Sequence, residues 1–193
     1  LLTDADIKHS PDNLKNLVMK AERESLQLVS LMVLLNCSTF WERLLIPAFV
    51  FFFQKLYPFP WINDPKKTSA GAAGCCIMVR SDALEMAGVI DAVRNEMIDD
   101  CAIGRIIKMN GPIWLGLTKD VKSLRKYAHL SEIWGMVTRT AFEQLKCSSI
   151  VLLVTIIGMT VIYLIPPSAL ACGLILGDYL LGLLGALSWS IMT

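Results

Sequence analysis

Two pairs of acidic residues are the first candidates for chemistry in this chain. Asp4 and Asp6 lie two residues apart, directly after Leu1-Leu2, which looks like the end of a buried strand. Carboxylate oxygens are the ligands that Mg²⁺ and Mn²⁺ prefer, and such cations are commonly shared with a substrate's phosphates. The pair is therefore a candidate site for a divalent cation, although most Asp-x-Asp pairs are solvated turn residues. His9 follows closely and is either a further metal or phosphate contact or an ordinary loop residue.

The second acidic pair, Asp99-Asp100, opens a predicted helix over residues 99–109, which Asn110-Gly111 would end. A helix N-terminus favours the ionised form of a carboxylate. An ionised carboxylate beside a metal-bound donor can accept the proton of an attacking hydroxyl, while the cation neutralises a departing phosphate. From spacing alone, an ordinary helix N-cap with one additional acidic residue is the stronger interpretation.

The composition limits the classes of protein to which the chain can belong. Its 193 residues are 54% hydrophobic, with a mean hydropathy of +0.54, and suffice for one domain and a membrane anchor. A formal net charge of +1 gives no strong field for binding nucleic acid. Six cysteines without Cys-x-x-Cys spacing are predicted to be reduced and packed as small apolar residues. Because the chain lacks an initial Met and opens inside what looks like a folded domain, we expect it to be a fragment.

Alternating short elements in the first three quarters of the chain predict an α/β domain. Apolar runs typical of strands occupy residues 26–35, 74–80 and 113–117. Segments with helical spacing or helix end signals lie around them, at residues 14–21, 82–88 and 99–109.

A further apolar stretch precedes a cluster of aromatic residues. Only Pro47 interrupts the apolar residues 44–53, which are too few to cross a bilayer, since crossing takes about 20 residues. Tyr57 and Trp61 follow, and such residues at one end of an apolar helix suit the lipid–water interface. We therefore expect an interfacial helix at about residues 40–57, with a buried core helix as the equally supported alternative.

Two nearly uncharged stretches near the end of the chain predict a transmembrane helical hairpin. Residues 149–165 end at Pro166-Pro167, and residues 169–192 contain Asp178 as their acidic group. Asp178 would lie either near a helix end or facing the helix bundle. Basic residues crowd the near side of the first stretch, so the positive-inside rule places the α/β domain in the cytoplasm. These residues are Lys119, Lys122, Arg125, Lys126, Arg139 and Lys146.

The chain resembles membrane glycosyltransferases of the family 2 type in four short segments that occur in the order seen in that family. They are Thr3-Asp4-Ala5-Asp6, residues 74–80, Ile98-Asp99-Asp100 followed after ten residues by Gly111, and residues 134–139. Longer segments are most similar to hopene-associated glycosyltransferases of bacterial hopanoid pathways. These are residues 40–47, 55–65 and 133–142, and the resemblance covers residues 1–167.

The resemblance implies a fold and a division of the chain. Residues 1–146 would be the carboxyl-terminal part of a GT-A-like domain, the α/β fold of nucleotide-diphospho-sugar transferases. Residues 149–192 would form two transmembrane helices. The protein would then be an integral membrane protein with a cytoplasmic catalytic domain, in a bacterial inner membrane.

The resemblance also implies roles for the acidic residues and a glycine. Asp4 would contact the nucleotide and, with Asp6, would ligate Mg²⁺ or Mn²⁺ through the diphosphate. Asp100 matches the Asp of the family's Glu-Asp motif and would be the general base, with Asp99 in place of the preceding Glu. Gly74 and its neighbours would line the acceptor side.

The resemblance also implies roles for Arg139 and Trp134, which lie in a segment near the membrane. The family often has Gln-x-x-Arg-Trp there, and Arg139 is the residue that this chain retains. Its fork of donors suits a diphosphate. Without the Gln and the Trp, a single transfer fits better than processive polymer synthesis. Trp134 would either stack on a sugar or anchor the chain at the membrane interface.

The implied activity is inverting, metal-dependent transfer of a sugar from a nucleotide-sugar to a membrane lipid hydroxyl, in hopanoid or related lipid biosynthesis. The implied partners are the nucleotide-sugar, the lipid acceptor and the membrane, without nucleic acid. One alternative is a glycosyltransferase with another lipid acceptor, such as ceramide or a polyprenyl phosphate. A second alternative is a catalytically inert, membrane-anchored binding protein.

Overall fold

The computed structural model describes residues 1–86, 99–145 and 148–192. They divide into two compact units, Leu1–Thr140 and Ala141–Thr193. The first unit contains a mixed five-stranded sheet with helices, and the second contains the apolar helices that follow.

The sheet of the first unit has a parallel pair of long strands at its centre. Its strands are β1 (Leu2–Thr3), β2 (Ile7–Lys8), β3 (Leu28–Leu34), β4 (Cys76–Val79) and β5 (Ile113–Ser123). The spatial order is β1-β4-β3-β5-β2, and β3 is parallel to β5 while every other neighbouring pair is antiparallel. Because β1 is an edge strand, Leu1 and Leu2 are exposed and do not end a buried strand as predicted.

The helices of the first unit cover both faces of this sheet. They are α1 (Asn13–Arg23), α2 (Phe40–Leu56), α3 (Phe59–Asn63), α4 (Ser81–Met86), α5 (Asp99–Asn110) and α6 (Leu130–Gln144), which begins in this unit. Strand β3 is apolar on both faces, as strands between two helical layers are. One face packs with Ile103 and Ile107 of α5, and the other packs with Leu17 and Ala21 of α1. The predicted α/β class is therefore confirmed.

Helix α2 lies on the surface of this unit. Its buried residues are Glu42 and Ile46, whereas Phe40, Leu44 and Phe51 are exposed. A buried core helix, one of the two interpretations of this segment, does not agree with this exposure. Pro47 stands inside the helix, whose bounds are close to those expected.

The buried carboxylate of Glu42 ties the start of α2 to a distant segment. Oε2 accepts hydrogen bonds from the N–H groups of Ser38 and Thr39 and from the Ser38 hydroxyl, and Oε1 accepts one from Tyr127 N–H at 2.7 Å. Burial raises the pKa of Glu42, but these hydrogen bonds outweigh burial and lower the pKa to about 2. The Thr39 hydroxyl accepts from Glu42 N–H and donates to the Tyr127 carbonyl, which completes a capping box.

The second unit contains the apolar segment with the length to cross a membrane. It comprises α7 (Ser149–Tyr163) and α8 (Ile165–Leu176), which together run over 28 predominantly apolar residues. Helix α9 (Tyr179–Met192) is also apolar but has 14 residues. Helices α8 and α9 pack closely, since a Cβ on Gly173 would collide with the backbone of Gly182.

The chain reverses at a different place from the one predicted. Pro166 and Pro167 lie in the first turn of α8, where a missing N–H leaves no helix bond unmade, so the helix continues past them. It ends at Gly177, whose φ of +71° is that of a left-handed helix end. Asp178 then caps α9 by accepting a hydrogen bond from Leu181 N–H at 3.1 Å. The predicted helix over residues 169–192 is thus divided, and Asp178 lies at a helix end.

Candidate functional site

Three of the predicted site residues line one pocket in the first unit. The pocket has a volume of about 390 Å³ and is bordered by Asp4, Gly74 and Asp100, which come from three separate segments of the chain. Its other lining residues are Leu1, Leu2, Thr3, Ile77 and Ile103. The pocket therefore has an acidic side and an apolar side.

The acidic turn, which we define as residues 4–6, connects the two edge strands β1 and β2. Before the turn, Thr3 pairs with Cys76 at the start of β4, and after it Lys8 pairs with Lys122 near the end of β5. Leu34, the last residue of β3, is also opposite Lys122, so the turn passes the carboxyl end of the central strand. Ligands of open α/β sheets bind outside the carboxyl ends of the strands.

The backbone on either side holds the acidic turn in place. Ile7 N–H donates to the Asp4 carbonyl at 3.3 Å, and Leu124 N–H donates to the Asp6 carbonyl at 2.8 Å. The Thr3 hydroxyl donates to the Cys75 carbonyl at 2.9 Å. This last bond connects the residue before Asp4 with the residue after Gly74, across the pocket.

The carboxylate of Asp100 is fixed by backbone donors at the start of α5. Gly74 N–H donates to Oδ2 at 2.6 Å, and Cys101 N–H donates to Oδ1 at 2.7 Å. A Cβ on Gly74 would lie 3.0 Å from Oδ2, which is tighter than ordinary contact, so a glycine permits this approach. The far end of α5 is anchored by Lys108, whose Nζ donates to the carbonyls of Ile62 and Ser69 at 2.6 and 2.8 Å.

A buried serine that sequence reasoning missed positions the backbone just before Gly74. Ser30 in the middle of β3 is fully buried, and its hydroxyl accepts from Ala73 N–H at 2.8 Å and donates to the Ala73 carbonyl at 3.0 Å. The signal in the sequence is a single hydroxyl residue within an otherwise apolar strand. A buried polar group is costly without partners, so such a residue predicts a hydrogen bond inside the core.

The pKa of the Cys75 thiol reflects the acidic side chains around it. Burial raises its pKa most, and the charge of Asp4, a hydrogen bond with Asp4 and the charges of Asp100 and Asp6 raise it further, to about 12. All three carboxylates are therefore close enough to act on one sulfur. The thiol stays protonated and is a poor nucleophile. The carboxylates near this thiol give this side of the pocket a local negative charge, which a cation would complement.

Asp4 and Asp6 are the residues that could hold a metal ion, together with ligands from a bound phosphate. Within residues 1–86, 99–145 and 148–192, no group of three or more His, Cys, Asp or Glu side chains is arranged to hold a metal ion. Asp4 and Asp6 supply hard oxygen donors on one short turn. Mg²⁺ usually takes one or two carboxylates and completes its shell with water and phosphate oxygens, which such a turn can satisfy.

Of the remaining predicted site residues, Asp6 and Trp134 do not line this pocket. Asp6 acts on Cys75 electrostatically but does not line the pocket. Trp134 on α6 is 65% exposed. The side chains of Asp99 and Arg139 lie outside the described residues. Neither a model of a known protein family nor a curated protein matches the chain.

Proposed function

We propose that this chain is part of an inverting glycosyltransferase of the family 2 type with a GT-A-like domain. It would move a sugar from a nucleotide-sugar to the hydroxyl of a membrane lipid, in hopanoid or related lipid biosynthesis. The observation that supports this most is the meeting of Asp4, Gly74 and Asp100 at one pocket. They lie far apart in the sequence, and the family resemblance gives each of them a part in the same reaction.

In this proposal the acidic turn receives the donor. Asp4 contacts the nucleotide, and Asp6 and Asp4 hold Mg²⁺ or Mn²⁺ with the diphosphate oxygens as further ligands. When bound, the cation would neutralise the charge of the departing nucleoside diphosphate. The negative surroundings of Cys75 support this assignment, because a bare diphosphate would be repelled by three carboxylates. Arg139 would add a cationic contact to the diphosphate.

Asp100 would act as the general base. Its carboxylate accepts the proton of the lipid hydroxyl while the hydroxyl oxygen forms a bond to the anomeric carbon. The bond from that carbon to the diphosphate oxygen breaks, and the nucleoside diphosphate leaves with the electron pair. Attack opposite the leaving group inverts the anomeric configuration. The bonds from Gly74 and Cys101 support this role, since they hold the carboxylate in one orientation. Asp99, the neighbouring acidic residue, remains the second candidate for the general base.

A second pocket supports a lipid as the acceptor. An apolar groove of about 530 Å³ lies between α2, the carboxyl end of β3 and the middle of β5. Ile46, Val50 and Phe51 line it from α2, and Lys119 is among its polar residues. A mostly apolar groove with few polar groups suits a hydrocarbon chain with a polar head. The exposed apolar residues of α2 and the long apolar helix Ser149–Leu176 would hold the protein at the bilayer, with the first unit on the cytoplasmic side.

The proposal is tested by offering the full-length protein a panel of radiolabelled nucleotide-sugars and a total bacterial lipid extract, with Mg²⁺ or Mn²⁺ present. Label that enters a lipid in a protein-dependent manner supports glycosyl transfer, and the labelled lipid identifies the acceptor. Label in ceramide or a polyprenyl phosphate would select the alternative acceptors. Folded protein that transfers no sugar from any donor would instead indicate an inert, membrane-anchored binding protein.

A further inference from the structure

Both ring nitrogens of His9 are engaged in a chain of hydrogen bonds beside the acidic turn. Nε2 is 2.9 Å from Thr3 Oγ1, and Nδ1 is 3.0 Å from Asn13 Nδ2. Asn13 is the first residue of α1 and is buried. Because both nitrogens face partners within the protein, a metal or phosphate contact, one of the two interpretations of His9, does not agree with this arrangement.

The direction of each bond in this chain follows from Thr3. Its hydroxyl has one proton and lies 2.9 Å from the Cys75 carbonyl and 3.4 Å from the Asp4 carbonyl. Both carbonyls can only accept, so the Thr3 proton goes to a carbonyl and the Thr3 oxygen accepts from His9 Nε2–H. His9 Nδ1 then accepts from the Asn13 amide. This arrangement describes a neutral imidazole with its proton on Nε2.

We infer that His9 is a positioning residue that fixes the distance between the two walls of the pocket. Thr3 precedes Asp4, and Cys75 follows Gly74, so the Thr3 hydroxyl ties the acidic turn to the segment that holds Asp100. Without the donor on His9, the Thr3 hydroxyl loses the bond that orients it. Helix α1, which is packed on the core through Leu17 and Ala21, provides the fixed point through Asn13. The effect on turnover rests on the proposed function, whereas the hydrogen-bond chain does not.

The Cys75 thiol offers a readout that needs no activity. The thiol is partly buried, and the Thr3 hydroxyl donates to the carbonyl of the same residue, so the thiol is shielded while the acidic turn keeps its place. We expect His9→Ala to speed alkylation of Cys75 by about tenfold, measured for each cysteine by mass spectrometry, because one tie of the turn is lost. The rate at buried Cys101 should stay unchanged. His9→Gln, whose amide can place an N–H near Nε2, should keep Cys75 slow, and exposed His129→Ala is the matched control.

The tautomer is tested by nitrogen NMR of the full-length protein labelled with ¹⁵N-histidine, where His9→Gln identifies the His9 signals. A protonated Nε2 with a hydrogen-bonded, unprotonated Nδ1 supports the inference. A proton on Nδ1, in the other tautomer or in an imidazolium, would overturn it. So would an unchanged Cys75 rate in His9→Ala, or an equal rise at Cys101, which would indicate general loosening.

In the transfer assay, His9→Ala should lower turnover by about tenfold to a hundredfold, and His9→Gln should restore most of it. Equal losses in both variants would contradict a role that depends on the N–H donor. If the wild-type protein transfers no sugar, the proposed function fails, while the alkylation and NMR results still decide the role of His9.

Discussion

The backbone N–H of Gly74 donates a hydrogen bond of 2.6 Å to Oδ2 of Asp100. This bond joins the loop before β4 to the start of α5, and it sets where the carboxylate lies in the pocket. The bond needs a glycine at position 74, because a side chain there would crowd the carboxylate, and it needs Asp100 at the N-terminus of α5. The positions of Gly74 and Asp100 are therefore coupled, and a substitution of either residue should displace the other.

A methyl group at Gly74 should displace Asp100 without unfolding the protein. In Gly74→Ala, the new Cβ would lie 3.0 Å from Oδ2, so the carboxylate must shift by a few tenths of an ångström. We expect turnover to fall by about tenfold to a hundredfold, because small displacements of a reacting group are costly. Gly135→Ala is the matched control, since a Cβ there meets open space. Steady-state rates with both variants check this, and equal rates for the two would show that the contact has no consequence.

Glu42 should make stability depend on pH at the acidic end. Its pKa is lowered from 4.5 to about 2 in the folded protein, so its contribution is complete above pH 4.5 and disappears as the pH falls toward 2. We expect Glu42→Gln to lower the free energy of unfolding by about 1–3 kcal/mol at neutral pH, because a buried acceptor of charge-assisted bonds is lost. Chemical denaturation across pH measures this, and the difference from wild type should shrink below pH 4.5.

The control for Glu42→Gln is Glu24→Gln, which removes an exposed ion pair with Lys20. Such a pair contributes little, so this variant should unfold close to wild type. A Glu42→Gln variant that is as stable as Glu24→Gln, or whose loss of stability persists unchanged at low pH, would contradict a stabilising role for the hydrogen bonds of the Glu42 carboxylate.

Filling the apolar groove should weaken binding of the lipid acceptor and leave binding of the nucleotide-sugar donor unchanged. Val50 lines the groove, and Val50→Trp would occupy part of its volume of about 530 Å³. We expect the KM for the lipid acceptor to rise by about tenfold, with the KM for the nucleotide-sugar unchanged, because only the acceptor loses apolar contact. Leu44→Trp changes an exposed residue of α2 away from the groove and is the control. A rise in both KM values, or in neither, would place the acceptor elsewhere.

Periodicity and local signals predicted the α/β class well. The strand at residues 28–34 and the helix at residues 99–110 follow from apolar runs and helix end signals that act within a few residues. Residue type and spacing drew attention to Asp4 and Asp100, but only the resemblance added Gly74 and assigned the three to one site, because spacing alone cannot bring together groups that tertiary structure joins.

The hydrogen bonds of two buried residues were not predicted, because their partners are remote in the sequence. Ser30 bonds to a residue 43 positions away, and Glu42 bonds to one 85 positions away. The turn at Gly177 was missed for another reason. Proline fits the first turn of a helix as well as the end of one, so Pro166-Pro167 permitted two interpretations, and the glycine ended the helix.

The central claim, glycosyl transfer with Asp100 as base, is tested most directly by Asp100→Asn in the full-length protein. The amide keeps the size of the carboxylate but cannot take up a proton from the acceptor hydroxyl, so we expect label transfer to lipid to fall by about a hundredfold to ten-thousandfold. Nucleotide-sugar binding should remain, and Asp12→Asn, which changes an exposed residue without a side-chain capping bond, should transfer at the wild-type rate. Transfer by Asp100→Asn at the wild-type rate would contradict the account.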